Sequence, residues 1–169
     1  MFRVNDVILY SSQGVCRITD MEEKTVGGVK KTYYVLKPVN EKGATIFAPA
    51  DNELVLKKIR RLLSKREIDD LIDSMPDEET EWIANEAERK ECYKNILAKG
   101  DHQQLIRMIK AIFLRKKALE ENKKRLHVSD ERFFKDAEQL LYNEFQYVLQ
   151  LENKNELMTY ILDRIDGNL

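Results

Sequence analysis

Through residues 1 to about 58, apolar and polar positions alternate in the manner of strands with one buried face. The alternation falls into short pieces. Phe2, Val4, Val7, Ile8 and Tyr10 make a first cluster, closed by Ser11-Ser12-Gln13-Gly14, and Val15 to Asp20 restarts the pattern. Thr25-Val26-Gly27-Gly28-Val29 reads as a hairpin, because the primed turns that match strand twist need positive φ angles at their centre. Thr32-Tyr33-Tyr34-Val35-Leu36 is rich in β-branched and aromatic residues and ends at Pro38. Asn40-Glu41-Lys42-Gly43 turns the chain into a last strand, Ala44 to Ala48, which Pro49 stops. Four or five strands this short predict a small curved barrel of the Tudor or SH3 type, with at least one edge open to a partner strand.

Lys57-Lys58-Ile59-Arg60-Arg61 reads as a basic linker, and beyond it the apolar positions recur at helical steps. Ser64-Lys65-Arg66-Glu67 is a capping box, which predicts a helix from Lys65 to near Met75 with Ile68, Leu71 and Ile72 on one face. Asp101 to Gln104 caps a helix carrying Leu105, Met108, Ile109, Ile112 and Phe113. Ser129 is the expected N-cap of the strongest helix, where Asp130 and Glu131 favour the positive end of the dipole. Its broad apolar face runs from Phe133, Phe134 and Ala137 through Leu140, Leu141 and Phe145 to Val148 and Leu149. Asn153 or Asn155 caps a last helix with Leu157, Met158, Ile161, Leu162 and Ile165. The pattern predicts an α+β chain of two domains. Residues 1–60 form the β barrel, and residues 61–169 form an all-α bundle of about five helices.

The remaining helix lies between Pro76 and Gly100, and Gly100 offers a left-handed C-cap. It is mostly charged. Trp82, the single tryptophan, stands at its front, ahead of the apolar part that begins at Tyr93, Ile96 and Leu97. Such a tryptophan is either core, covering the end of the bundle, or an exposed aromatic tool. Arg89 follows seven residues later and is expected to share its helix face.

Composition narrows the chemistry. Of 169 residues, 43% are hydrophobic and 35% charged, the balance of a soluble protein rich in surface helix. No apolar run approaches the roughly 18 residues of a membrane span, and no signal-peptide pattern opens the chain. Cys16 and Cys92 lie far apart and read as reduced thiols of a cytoplasmic protein. His102 and His127 lack metal-ligand spacing, and no Ser-His-Asp set, P-loop or dinucleotide fingerprint is present. An enzyme, a metal and a cofactor are therefore not expected; His102 is expected to assist a helix N-terminus. The net charge is −1, and residues 59–169 hold 20 Lys and Arg against 23 Asp and Glu, a net of −3. Any basic surface must be local.

Several motifs together resemble one family. Phe2-x-Val4-x-Asp6-x-Ile8-x-Tyr10-x-x-x-Gly14-Val15, with Tyr34-Val35-Leu36-Lys37 and Ile46-Phe47-Ala48-Pro49, is similar to the opening of the CarD family and of the polymerase-binding module of transcription-repair coupling factors. Tyr93-Lys94-Asn95-x-Leu97 before Gly100-Asp101 resembles the CarD family's helical domain. So do Leu114 to Lys117, Lys123-Lys124, Asp130-Glu131-Arg132, Ala137-Glu138-x-x-Leu141 and Glu144. Coupling factors continue into a helicase, for which this chain has no room.

The resemblance implies a regulator that binds bacterial RNA polymerase and modulates initiation. Its barrel would dock on the polymerase β subunit, its helical domain would contact promoter DNA, and a tryptophan would wedge into the minor groove without reading sequence. It would act as a monomer in the cytoplasm, on the nucleoid through the polymerase, with no membrane partner. On this chain the wedge falls on Trp82. The candidate phosphate contacts are Arg89, Lys90, Lys94, Arg115, Lys116, Lys117, Lys123, Lys124 and Arg125. The polymerase-binding edge falls on Lys24, Thr45, Ile46, Phe47 and Pro49. Departures exist: the interval from Trp82 to Tyr93 is longer than in the family's compact form, and Phe47 stands where some relatives have a basic residue. With its net negative charge the helical domain is expected to bind free DNA weakly. The competing reading is a helical adaptor with a peptide-binding barrel, a core Trp82 and no DNA role.

Overall fold

The strand-like alternation is realised as five antiparallel strands, β1 (Val7–Tyr10), β2 (Gly14–Val26), β3 (Val29–Pro38), β4 (Ile46–Pro49) and β5 (Ile59–Arg61), in the order β4-β3-β2-β1-β5. This computed structural model describes residues 2–40 and 44–167, and the chain divides into two units, Met1–Leu62 and Leu63–Leu169. The expected turn at Asn40 to Gly43 lies, from residue 41 on, outside the described residues. At the hairpin tip Gly27 and Gly28 take φ of 59° and 78°, so Val26 pairs with Val29. Gly14 has φ 78° and ψ −150°, a conformation closed to other residues, and it turns the chain from β1 into β2. The β2–β3 register shifts between Ile18 and Asp20, a bulge that sharpens the bend of a small sheet. Ile8, Cys16, Ile18, Tyr34, Leu36, Ala48 and Ile59 fill the core of this Tudor-like β unit.

Two short elements depart from the pattern. Asn52 accepts from the Leu54 and Val55 N–H groups and caps a single turn, α1 (Glu53–Leu56). The expected basic linker is instead β5, with Leu9 opposite Arg60 and Ile59 buried. Three residues are too few to show a period, and the two arginines mask the one apolar anchor. The first strand is also shorter than expected: it begins at Val7, while Val4 is exposed.

The second unit holds α2 (Lys65–Ser74), α3 (Glu86–Lys99), α4 (His102–Glu121), α5 (Val128–Val148) and α6 (Lys154–Gly167). Their ends are written locally. Ser64 and Glu67 form the reciprocal capping box, Asp101 accepts from Gln104 N–H, Asn153 from Glu156 N–H, and Gly100 closes α3 in the left-handed region. Ile68 and Ile72 of α2, Leu105 and Ile112 of α4, Leu141 and Phe145 of α5, and Leu157 of α6 make one core. Inside it His102 Nε2 pairs with one oxygen of Glu144, whose other oxygen accepts the Leu63 N–H at 3.0 Å. His102 is the first residue of α4, so its side chain serves the core and not the helix end.

Three readings of this half are corrected. Helix α5 starts at Val128 with His127 in the N-cap position, so Ser129 is inside the helix. Phe113 and Leu162, expected on buried faces, are 53% and 58% exposed. Trp82 is not on a helix: Asn85 accepts from Glu88 N–H and begins α3 three residues later, so the tryptophan lies on the extended stretch before it.

Candidate nucleic-acid interface and edge strand

The segment from Met75 to Ala84 has few backbone partners of its own, and side chains from two helices hold it. Lys110 Nζ donates to the carbonyls of Met75, Pro76 and Glu78 at 2.7–3.1 Å. Gln103 Nε2 and Arg107 Nε each donate to one Glu78 oxygen, at 2.8 and 2.7 Å. Gln103, Arg107 and Lys110 recur at the spacing of one helix face, so α4 presents a polar stripe to the front of the segment. The rear is held by Arg89, whose Nη1 donates to Ile83 O at 2.9 Å and Ala84 O at 3.4 Å. Trp82 lies between these anchors, half-buried against the helical core.

Arg89 is only 3% exposed, and its remaining nitrogens make a bidentate pair with Asp130 on α5, both bonds 2.9 Å. Hydrogen bonding to Asp130 outweighs burial and raises the guanidinium's pKa, so the group is charged throughout. Its carbon lies 4.5 Å from the centre of the Trp82 ring, and that of Arg115 on α4 lies at 5.5 Å. Below it the Tyr93 hydroxyl is buried without a hydrogen-bond partner among the described residues, and burial pushes its pKa up to about 12.

This geometry removes Arg89 from the candidate phosphate contacts. Its hydrogen bonds are spent on Asp130 and two carbonyls, and it faces inward. It meets Trp82 from the body of the bundle and not along a shared helix face, as had been expected. Lys90 pairs with Glu86 at 2.6 Å, the solvated i,i+4 pair that a charged helix surface commonly forms. Lys94, Arg115, Lys116, Lys117, Lys123, Lys124 and Arg125 are exposed, and only Arg115 stands beside the tryptophan.

The fastening is itself testable. Hydrogen bonds from Arg107 and then Gln103 hold the Glu78 carboxyl below its usual range. A depressed folded pKa contributes stability that is complete above the unfolded value, about 4.3 for glutamate. That contribution is lost as pH falls through the lowered value. Glu78→Gln should therefore lower the melting temperature near neutral pH, and the gap from the parent should close under acid conditions. A gap that stays constant from acid to neutral pH would contradict this role.

In the β unit the edge residues converge differently. Among the described residues β4 pairs only with β3 and stands at one edge of the sheet. Phe47 is 42% exposed, and Lys24 Nζ lies 3.3 Å from the centre of its ring, while Lys24 also approaches Glu22 at 3.7 Å. Ile46 and Pro49 are half-buried; Thr45 is exposed just before the strand. Four of the five candidate residues thus lie on or just before the edge strand, and the fifth, Lys24, reaches Phe47 from the interior strand β2. Among the described residues no group of His, Cys, Asp and Glu is placed to hold a metal ion, and no helix is long and apolar enough to cross a membrane.

The family model for the CarD-like/TRCF RID domain matches residues 2–63, the span of the β unit with β5 included. That family is a domain that interacts with the RNA polymerase β subunit.

Proposed function

We propose, from a β unit that matches the family model for the CarD-like/TRCF RID domain, that this protein binds the RNA polymerase β subunit through β4 and contacts promoter DNA through its helical unit. The open edge beside Phe47 and Lys24 is the observation that carries the first half. A polymerase strand added along β4 would gain backbone hydrogen bonds, and the Phe47 ring with its cation would set the register. A fragment of residues 1–62, which has its own core, should retain the β subunit in pull-down, and Phe47→Asp in the full chain should abolish it. Retention by residues 63–169 alone would overturn the assignment.

The second half rests on Trp82. It is half-buried against the helical core, held in place and flanked by an exposed arginine, so part of the ring stays open to meet a base step as an apolar wedge. Arg115 supplies the nearest phosphate contact, with Lys116, Lys117, Lys123, Lys124 and Arg125 as further contacts on the same helix end and the loop after it. A wedge that binds the distorted, open promoter more strongly than the closed duplex shifts that equilibrium by its differential affinity alone. With few neutralised phosphates, binding to free DNA is weak and falls with salt; tethering by the polymerase supplies the local concentration. The protein acts as a monomer at the promoter and takes no cofactor.

A further inference from the structure

We propose that Arg89 and Asp130 form a buried strut whose task is to position Trp82, so that the tryptophan reaches DNA as a rigid projection with one ring face already occupied. The proposal rests on the reading of Trp82 as a wedge. Three observations carry it. First, Arg89 spends every observed hydrogen bond on two ends: Asp130 on α5, and the Ile83 and Ala84 carbonyls immediately after Trp82. Second, the guanidinium carbon lies over the indole ring, 4.5 Å from its centre, so the same group fixes both the backbone that follows the ring and the ring itself. Third, α4 holds the front of the segment independently, through Glu78 and Lys110. The ring is therefore fastened on both sides.

A fixed ring matters for a wedge. A side chain free to rotate loses rotamer entropy when it inserts, whereas one already held meets the base step with that cost removed. The occupied face also restricts the contact. Arg89 cannot swing away without abandoning Asp130 inside the bundle, so a base can meet only the ring edge or the face turned from Arg89. Arg115 differs in kind. It is exposed and has no hydrogen bond among the described residues, so it is free to leave the ring for a phosphate. Arg89 is thus a positioning residue and Arg115 a contact residue, although both lie beside one tryptophan.

The single tryptophan makes the strut directly readable in the full-length protein. Arg89→Lys keeps a buried cation but loses the planar fork, and Asp130→Asn keeps the shape of the acceptor but loses its charge. In both variants, with folding checked by circular dichroism, acrylamide quenching of Trp82 should rise several-fold and its emission should shift to the red. Unchanged quenching in the folded variants would overturn the strut. The functional arm is a double-mutant cycle on open-promoter lifetime. Arg89→Lys should shorten the lifetime in the parent and change nothing further in Trp82→Ala. Equal shortening in both backgrounds would show that Arg89 acts apart from the tryptophan, and would overturn the proposal. If Trp82→Ala leaves the lifetime unaltered, the wedge reading fails, and the quenching result still decides whether Arg89 positions the ring.

Discussion

Asp130→Ala is expected to destabilise the helical unit by ~3–5 kcal/mol, the cost of leaving a buried guanidinium without its partner. Asp130 is only 1% exposed and takes both inner bonds of Arg89. Its loss strands a cation that Ile83 O and Ala84 O cannot neutralise. For a unit of this size each 1 kcal/mol lowers the melting temperature by about 4 °C, so the shift should exceed 10 °C. Replacing both members, Arg89→Met with Asp130→Leu, should recover most of that loss, because an apolar pair of similar volume avoids the desolvation of two ions. The comparison separates what the pair does for stability from what it does for position. A single variant that melts within 2 °C of the parent would show that water or another group reaches the guanidinium.

Trp82→Ala is expected to act mainly on the promoter. The ring is half-buried, so truncation should cost ~1–2 kcal/mol, from the apolar area lost and a cation–π contact of about 0.5–1 kcal/mol. A fully buried tryptophan would cost ~3–5 kcal/mol. The open-complex lifetime should fall much further: stacking and wedging of about 1–3 kcal/mol correspond to roughly 5- to 150-fold in an equilibrium constant. Trp82→Phe should restore most of the stability and part of the lifetime. Melting curves together with lifetimes on one promoter check both quantities. A variant that melts as a core substitution does, while promoter lifetimes stay at the parent's value, would favour the adaptor reading.

Much of the fold could be read from the chain, because its boundaries are local chemistry. Ser64 with Glu67, Gly27-Gly28, Gly100, Asp101 and Asn153 each satisfy or redirect the backbone within a few residues, and each does so in the structure. β5 and α1 escaped because three or four residues carry no period and depend on pairing with β1 or a cap at Asn52. The candidate site was legible only in part. Trp82 stood out by composition, but the true start of its helix, Asn85, was hidden among charges.

Arg89 left a signal that a reading by charge passes over. Arg89, Tyr93, Ile96 and Gly100 fall at steps of four, three and four, one face of α3, and that face is the one turned inward. Asp130 could not be paired with it from sequence, since a first-turn acid is adequately explained by the helix dipole. The contact spans 41 positions and exists only once α3 and α5 have packed.

The Lys24–Phe47 contact bears on what the sheet must avoid. An open strand with an exposed aromatic ring invites copies of the same chain to pair edge to edge, the first step of fibre growth. Here the strand is four residues long, closed by a proline, and its ring lies under a lysine ammonium. Two such edges brought together would confront two ammonium groups and run out of ladder almost at once. A foreign strand with a carboxylate opposite Lys24 meets neither obstacle. One cation reaching over from β2, two strands in from the edge, thus works as a gatekeeper, leaving the edge open to a partner while protecting the protein from aggregation.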